Sequence, residues 1–363
     1  MLGSHGRISS GKLDYIDALR GTAALFIVVY HLSLLKIPDL LLDPIMFTQH
    51  SVILFFIISS FTLYLSMDNR QDEEGRFLMF YLRRFFRIAP LFYSMIIFYI
   101  FANYLIYDHL PSVMELFSNI FFLFNFSASY FESIVWTGWS IGVEMIFYLL
   151  MPLIFLVVNT IRRSVIFIAF TIGFRDLFKM IFPEVLVDKY SHESFITNFP
   201  VFAIGISCYL VYKYYIPRVN GSYRSAVSML LFLPSAILFC LMATNRLPFL
   251  IPSRPIPWNC WYALAFGLLL LSLSLYQNKL LVNRVTRFYG NISYSVYLVH
   301  PVLVYSLGPA YRFVYDHANI PDALNFCLCL LLTLAVVTPI AFLTYHLIET
   351  PGIRYGKRLI ARL

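Results

Sequence analysis

Long runs of apolar residues, separated by short polar clusters, make up most of this chain. A helix needs about 20 mostly apolar residues to cross the hydrocarbon core of a membrane. Ten runs meet this requirement, so the pattern predicts an all-α integral membrane protein with about ten transmembrane helices. The predicted spans are residues 17–36, 46–66, 88–107, 139–159, 164–182, 198–215, 225–243, 259–276, 289–308 and 323–347.

The positions of the basic residues predict how these spans are oriented. The segment between the second and third spans should be cytoplasmic, because it is rich in arginine. One further apolar run, residues 113–127, is ambiguous. If it crossed the membrane, Arg162 and Arg163 would lie outside, whereas a short re-entrant or interfacial helix there leaves the other basic clusters inside. We therefore expect ten spans, one such short helix, and both termini in the cytoplasm. The arginines between spans two and three are Arg70, Arg76, Arg83, Arg84 and Arg87.

The same pattern predicts one membrane domain, at residues 15–350, between two short cytoplasmic tails. The N-terminal tail, residues 1–14, is polar and lacks the apolar core of a signal peptide. The C-terminal tail covers residues 351–363 and is basic. No long hydrophilic segment predicts a second, soluble domain.

Composition supports a membrane protein and argues against a nucleic-acid-binding one. Charged residues make up only 13% of the chain and hydrophobic residues 60%, whereas soluble domains carry about 25% charged residues. The net charge of +8 comes from short clusters that flank apolar runs, which is the distribution that membrane topology requires. The five cysteines lack metal-ligand spacing with histidine, so we expect no metal site.

The first span contains two ionisable residues, Arg20 and His31. Eleven residues separate them, so on a helix they lie about 20° apart around the axis and about 16 Å apart along it. Ionisable side chains at membrane depth are costly and usually functional. The plainer interpretation is that Arg20 reaches the inner interface and His31 is a hydrogen-bonded packing residue, but their shared face favours a functional pair.

Two later spans carry further candidates, Glu144 and His300. Glu144 and His31 are each about five residues from the outer end of their span, so a carboxylate–imidazole pair at matched depth is one hypothesis. A structural pairing of Glu144 with another helix is the alternative. His300 also lies in an outer half, beside Pro301, and fits a structural role as well as a chemical one.

Three arginines, Arg83, Arg84 and Arg87, lie at the start of the third span. Arg83 and Arg87 should share a helix face, with Arg84 adjacent to it. An ordinary cytoplasmic anchor would explain such residues, but Arg87 lies against the apolar run, where no anchor is needed. Because the guanidinium group binds phosphate through two parallel hydrogen bonds, the cluster suits a phosphate-bearing ligand.

Taken together, these segments resemble the acyltransferase-3 family of integral membrane O-acyltransferases. Two departures are visible: Ser59-Ser60-Phe61 stands where the family has Ser-Gly-Phe, and Met145 follows Glu144 where a second acidic residue is frequent. The matching stretches are Tyr15-Ile-Asp-Ala-Leu-Arg20-Gly through His31, Phe55-Phe-Ile-Ile-Ser59-Ser60-Phe61, Arg83-Arg84-Phe-Phe-Arg87-Ile-Ala-Pro90, Trp139-Ser-Ile-Gly-Val-Glu144 with Phe147-Tyr148-Leu-Leu-Met-Pro152, Tyr294-Ser-Val-Tyr-Leu-Val-His300, and Glu349-Thr-Pro351.

The resemblance implies transfer of an acyl group, usually acetyl, from cytoplasmic acetyl-CoA to a hydroxyl of an extracytoplasmic glycan such as O-antigen, capsule or exopolysaccharide. It implies a multi-pass enzyme of the bacterial inner membrane, here a standalone member without an appended esterase-like domain. The residues that it assigns fall into three groups. They are catalytic His31, Glu144 and Arg20; donor-binding Arg83, Arg84 and Arg87; and substrate-binding or pore-lining Asp17, Ser60, Trp139, Tyr148 and His300.

Two other classes of protein fit parts of the pattern. A transporter or flippase for a glycolipid or anion also uses intramembrane Arg, His and Glu, although neither an inverted repeat nor paired broken helices are evident. A purely structural membrane subunit leaves Arg20, His31 and Glu144 without a purpose. Within the enzyme hypothesis, His31 fits both a general base and a carrier of the acyl group.

Overall fold

The computed structural model describes residues 13–35, 45–244, 246–247, 256–318 and 320–363. Throughout these ranges the chain forms helices and no strand, which confirms the prediction of an all-α protein. A π-helical turn, Tyr345–Glu349, joins the last two helices. The α-helices of eight or more residues are α1 Asp14–Ser33, α2 Ser51–Asp68, α3 Arg76–Tyr107, α4 Val113–Ile120, α5 Trp139–Val157, α6 Ile161–Ile181, α7 Phe195–Tyr214, α8 Arg224–Ala243, α9 Trp258–Leu275, α10 Arg284–Asn291, α11 Ser293–Ser306, α12 Gly308–His317, α13 Asp322–Thr344 and α14 Thr350–Ile360.

Eight helical segments in the described ranges are long and apolar enough to cross a membrane. They coincide with eight of the ten predicted spans. The predicted span 164–182 is helical as α6, but α6 carries five charged residues. The predicted span 289–308 is broken into α10, α11 and α12. A multi-pass membrane protein is confirmed, whereas the number of crossings and the side of the termini stay predictions.

The ambiguous run 113–127 forms the eight-residue helix α4, followed by a short 3-10 turn, Phe124–Phe126. At 1.5 Å per residue, α4 is about 12 Å long and cannot cross a hydrocarbon core about 30 Å thick. Its Val113, Met114 and Phe117 are exposed, while Asn119 is buried. This amphipathic helix agrees with the predicted short re-entrant or interfacial element.

Helices α1 and α10 pack against each other through two glycines. A Cβ atom on Gly21 would lie 1.8 Å from the backbone oxygen of Thr286, and one on Gly290 would lie 1.9 Å from that of Asp17. Small residues permit such backbone contact between membrane helices. The start of α10 is fixed by Asn283, whose side chain accepts from the backbone of Thr286 while the Thr286 hydroxyl accepts from Asn283 N.

Helix α11 lies in the interior, where it packs against α1, α3 and α13. Its residues from Ser295 to Pro301 are all buried. A helix that is surrounded by others can carry polar side chains, because neighbouring helices supply their hydrogen-bond partners. The position of α11 brings His300 into the centre of the bundle.

The predicted C-terminal tail is largely a packed helix. Helix α14 contacts α3 through Gly352, over Pro90, and Gly356, over Phe86. Residues 1–12 of the predicted N-terminal tail lie outside the described residues, and α1 begins at Asp14.

Candidate active site

A cavity of about 90 Å³ lies between α1, α2, α3, α5 and α11. Its wall combines apolar rings with an unusual number of polar side chains for the interior of a membrane protein. The lining residues are Arg20, Val52, Phe55, Phe56, Ser59, Arg84, Arg87, Ile88, Ser140, Ile141, Glu144, Tyr148, Ser293, Tyr294 and Tyr297.

Three arginines line this cavity, and each has a different partner. Arg20 donates to the hydroxyl of Thr62 at 3.3 Å. Arg84 lies over the ring of Tyr148, with 5.8 Å between guanidinium carbon and ring centroid. Arg87 forms an ion pair with Glu349 at 2.6 Å, and Ser295 donates to the other oxygen of that carboxylate at 2.8 Å. The Glu349 side chain is fully buried, so this pair fixes one side of Arg87.

Arg83 points away from the main cavity. Its guanidinium group is paired with Glu73, in the loop between α2 and α3. Arg83 and Arg87, four positions apart on α3, lie on one side of the helix as the spacing predicts. Of the two, only Arg87 lines the cavity, together with Arg84, because Glu73 holds the Arg83 side chain on the loop side.

The carboxylate of Glu144 accepts hydrogen bonds from two hydroxyls in the cavity wall. The donors are Ser59, on α2, and Tyr148, one turn further along α5 at 2.5 Å. Both donors address the same oxygen, Oε1. Glu144 therefore links α2 to α5, and it is the one carboxylate among the residues that line the cavity.

The rings of His31 and His300 meet edge to face, with their centroids 4.7 Å apart and an angle of 73° between the ring planes. His31 Nδ1 lies 2.9 Å from the carbonyl oxygen of Ile27, and His300 Nδ1 lies 3.0 Å from that of Val296. A carbonyl oxygen only accepts, so each neutral ring carries its proton on Nδ1. His300 Nε2, 3.2 Å from His31 Nδ1, is then the second acceptor for that proton. His31 Nε2 keeps its lone pair.

Tyr297 lies between the cavity and the histidine pair. It lines the cavity, and its ring centroid is 5.9 Å from that of His300. Its hydroxyl lies 2.6 Å from the Ser140 hydroxyl and donates to the backbone oxygen of Thr137 at 3.1 Å. The ring of Phe55 packs against it at 5.8 Å. Tyr297 therefore contacts both the arginine-lined cavity and the histidine pair.

The structure brings together only some of the residues that the sequence singles out. Arg20, Arg84, Arg87, Glu144 and Tyr148 line one cavity. His31 and His300 contact each other beyond Tyr297. Arg83, Asp17, Ser60 and Trp139 are not among the residues that line the cavity.

The hypothesis of a Glu144–His31 pair is wrong for this structure. Glu144 is bonded to Ser59 and Tyr148, and His31 lies against His300; within the described residues no hydrogen bond joins the two. Ser60 was predicted to bind substrate or line the pore, but its neighbour Ser59 lines the cavity instead. Ser60 is fully buried and donates to backbone oxygens of its own helix, those of Phe56 and Ile57.

Several residues of the site were not predicted. Ser59, Tyr294 and Tyr297 line the cavity, and all of them fall inside the matching stretches that the sequence offers. Glu349 was part of the terminal stretch Glu349-Thr-Pro351, but nothing in the local sequence names Arg87 as its partner. Within the described residues, no group of three or more His, Cys, Asp or Glu side chains is arranged to hold a metal ion.

Comparison with known proteins identifies the class of the chain. Residues 13–342 match the acyltransferase-3 family, described as an acyltransferase domain. The match covers nearly the whole chain, so the chain belongs to this family and is a membrane acyltransferase.

Two curated relatives describe the activity more closely. A protein of the Acidianus two-tailed virus, named as a proposed acetyltransferase, is 28% identical over 308 residues, which are 81% of this chain and 84% of that protein. The peptidoglycan O-acetyltransferase OatA of Listeria monocytogenes is 23% identical over 381 residues, or 95% of this chain and 56% of OatA. The chain thus spans little more than half of OatA. The prediction of an O-acetyltransferase type of enzyme is confirmed. No solved structure matches the chain.

Proposed function

We propose that this protein transfers an acetyl group from cytoplasmic acetyl-CoA to a hydroxyl of a glycan on the other side of a bacterial inner membrane. The observation that carries the proposal is the position of Tyr297: it lines the cavity with the three arginines, and its ring is also next to His300 of the His31–His300 pair. Arg20 and His31, about 16 Å apart on α1, lie at the two ends of this arrangement.

The arginine end of the cavity is suited to the anionic donor. Coenzyme A carries phosphates, and guanidinium groups bind phosphate in bidentate geometry. Arg84 and Arg87 face the cavity, and the partner of Arg87, Glu349, holds only one side of its guanidinium group. The positive-inside distribution of arginine supports a cytoplasmic position for this end. Arg20 lies between the bound phosphates and the histidines.

His31 is the chemical centre of the proposal, because its Nε2 keeps a lone pair in the tautomer that the hydrogen bonds select. As a general base, it takes the proton of the acceptor hydroxyl while the oxygen attacks the thioester carbonyl. The carbon–sulfur bond breaks, and the thiolate leaves and takes up the proton. As a carrier, Nε2 itself attacks the thioester, the carbon–sulfur bond breaks and the thiolate leaves. The acceptor hydroxyl then attacks the acyl-imidazolium, the bond between Nε2 and the acyl carbon breaks, and the thiolate takes up the hydroxyl proton.

Glu144 has a positioning role in this scheme. It holds the hydroxyls of Ser59 and Tyr148, and Tyr148 in turn lies under Arg84. The carboxylate therefore orders the wall against which the donor binds, rather than the ring of His31. His300 orients His31 through the hydrogen bond that the two rings share.

The test is thioester turnover by the purified full chain in nanodiscs, with acetyl-CoA and candidate glycan acceptors. CoA release that depends on the acceptor supports the enzyme, whereas acceptor movement without CoA release supports a transporter. His31→Ala should lower acceptor-dependent turnover by about 10²- to 10⁴-fold, the contribution of a general base. His317→Ala is the matched control, because His317 also contacts a carbonyl four residues earlier but is exposed. Full activity of His31→Ala would refute the assignment.

The acceptor is best identified in cells. Mass spectrometry of surface glycans from a strain that lacks the gene should show the loss of one acyl mass on one sugar. That mass distinguishes acetyl from succinyl, and the sugar identifies the glycan. Unchanged glycans would argue against a glycan acceptor.

A further inference from the structure

A second, narrow pocket, with an interior of about 10 Å³, lies where α2 and α3 are joined by a short loop. Four of its side chains are arginines and one is a glutamate, so it carries an excess of three positive charges. Arg84 lines this pocket as well as the main cavity, which makes the two spaces neighbours. The lining residues are Ser66, Met67, Arg70, Glu73, Arg76, Phe80, Arg83 and Arg84.

Glu73 occupies the guanidinium group of Arg83. Arg83 Nη1 donates to Glu73 Oε1 at 2.9 Å, and Nη2 donates to Oε2. Two parallel bonds from one guanidinium group to two oxygens are also the geometry in which arginine binds phosphate. The side chains are 22% and 30% exposed, so the pair is reachable from the aqueous phase. The carboxylate stands where a phosphate group would bind.

The other arginines of this pocket have neutral partners. Arg70 donates to the Ser66 hydroxyl at 2.5 Å, and Arg76 donates to the backbone oxygen of Gln71 at 3.1 Å. The buried Nε of Arg84 has no hydrogen-bond acceptor in the described part of the chain. Burial and the nearby charge of Arg83 lower the pKa of Arg70, while Glu73 acts in the opposite direction. The pocket is therefore short of negative charge.

We propose that this pocket binds a phosphate group of the acyl donor, and that Glu73 holds Arg83 until the phosphate displaces it. The identity of the donor rests on the proposed function; the phosphate site itself extends to Arg70 and Arg76, which are not among the donor-binding arginines Arg83, Arg84 and Arg87. Phosphates in this pocket would leave the acyl arm of the donor to enter the main cavity beside Arg84.

Displacement of Glu73 gives the site a preference for ligands that carry phosphate. A phosphate group replaces the bonds that Arg83 loses, whereas an uncharged thioester cannot. The Glu73 carboxylate therefore lowers the affinity of the pocket for every ligand, but it lowers the affinity for a phosphorylated ligand least. Removal of its charge should strengthen binding of coenzyme A.

The decisive comparison is Glu73→Gln against Glu74→Gln. Glu74 is the next residue, is exposed, and offers the same change of charge without contact to Arg83. Binding of coenzyme A to the full chain is measured by isothermal titration calorimetry in phosphatidylcholine nanodiscs. We expect the Kd to fall about 5- to 10-fold in Glu73→Gln and less than about twofold in Glu74→Gln. Arg70→Ala and Arg76→Ala should each raise it about fivefold or more.

Two further arms identify the phosphate. If the effect of Glu73→Gln is lost with 3′-dephospho-coenzyme A, the 3′-phosphate occupies the pocket; if it persists, the diphosphate does. If exchange of phosphatidylcholine for phosphatidylglycerol abolishes it, the pocket binds a lipid headgroup phosphate, and its assignment to the donor is overturned.

Two outcomes separate the failure of this inference from the failure of the proposed function. If the parent chain binds coenzyme A but Glu73→Gln, Arg70→Ala and Arg76→Ala all bind it with the parental Kd, the phosphate pocket is refuted and the donor stands. If neither the parent chain nor any variant binds coenzyme A, the phosphate pocket and the proposed donor are both refuted.

Discussion

Nε2 of His300 lies 3.2 Å from Nδ1 of His31, and the two rings come from helices that are far apart in the sequence. Because Nδ1 of each ring also faces the carbonyl oxygen one helical turn earlier, a single pattern of protons satisfies all three contacts. In that pattern, both rings are neutral and His31 Nε2 is unprotonated. Two imidazolium ions at this separation would repel each other in a site of low dielectric constant. The pair therefore favours the neutral form that a base or nucleophile requires.

Replacement of His300 by alanine removes the second acceptor of the His31 Nδ1 proton. We expect kcat to fall about tenfold, the effect of one lost orienting hydrogen bond, while KM for acetyl-CoA stays within about twofold because His300 does not line the donor cavity. The measurement is the initial rate of CoA release at varied donor and acceptor concentrations.

His300→Gln distinguishes orientation from packing, because its side-chain oxygen can accept the same proton. A partial recovery of kcat relative to His300→Ala supports an orienting role. Equal losses in both variants, together with a lower melting temperature, would assign His300 to packing alone.

The sequence was sufficient to predict the class of fold. Apolar runs determine which segments become membrane helices, because their burial in lipid is a property of composition and length. The same argument fails for residues 289–308, where average hydropathy suits a span but the chain breaks into three helices. The interior position of α11 depends on its neighbours, which a hydropathy profile does not contain.

Partners within the site were harder to predict than the residues themselves. Matched depth gives Glu144 and His31 similar heights in the membrane, but it does not determine which helices are adjacent or how each is rotated. Ser59 and Ser60 illustrate the rotation, since neighbouring residues point about 100° apart on a helix. Only Ser59 faces Glu144. The His31–His300 contact likewise depends on the packing of α11 against α1.

The buried ion pair between Arg87 and Glu349 predicts a large loss of stability when one partner is removed. Glu349→Ala leaves Arg87 without its counter-charge and Ser295 without its acceptor. Breaking a fully buried pair costs about 3–5 kcal/mol. Because the Arg87 side chain is 30% exposed, the loss should be smaller, but we still expect a marked fall in the melting temperature of the purified chain.

The matched control is the exposed pair between Lys189 and Glu132, whose side chains are 71% and 60% exposed. Glu132→Gln should change stability by less than about 1 kcal/mol. Similar melting temperatures for Glu349→Ala and Glu132→Gln would contradict the structural role of the buried pair.

The contact between α1 and α10 predicts that Gly21 tolerates no side chain. A Cβ atom there would meet a backbone oxygen at 1.8 Å, and backbone cannot move aside as a flexible side chain can. We expect Gly21→Ala to separate the two helices and to reduce the yield of folded protein. Size-exclusion chromatography in detergent and thermal denaturation provide the measurement.

Gly173→Ala is the appropriate comparison, because no atom lies within 4 Å of its added Cβ. Alanine is favoured over glycine in a helix by about 1 kcal/mol, so this variant should be as stable as the parent chain or more stable. Equal behaviour of the two alanine variants would show that the α1–α10 contact is looser than described.

Replacement of Glu144 by glutamine should lower both KM and kcat. The cavity holds three arginines and this one carboxylate, so Glu144→Gln raises the positive potential that an anionic donor meets. With an effective dielectric constant near 20, one charge at several ångströms is worth about 1–3 kcal/mol, and we expect KM for acetyl-CoA to fall at least about fivefold. The amide also weakens the hydrogen bonds from Ser59 and Tyr148. Because these bonds order the wall beside Arg84, kcat should fall about tenfold. Glu184→Gln, at an exposed position, controls for the change of net charge. A raised KM with an unchanged kcat in Glu144→Gln would refute this role. It would show that the carboxylate contributes to donor binding and does not order the wall.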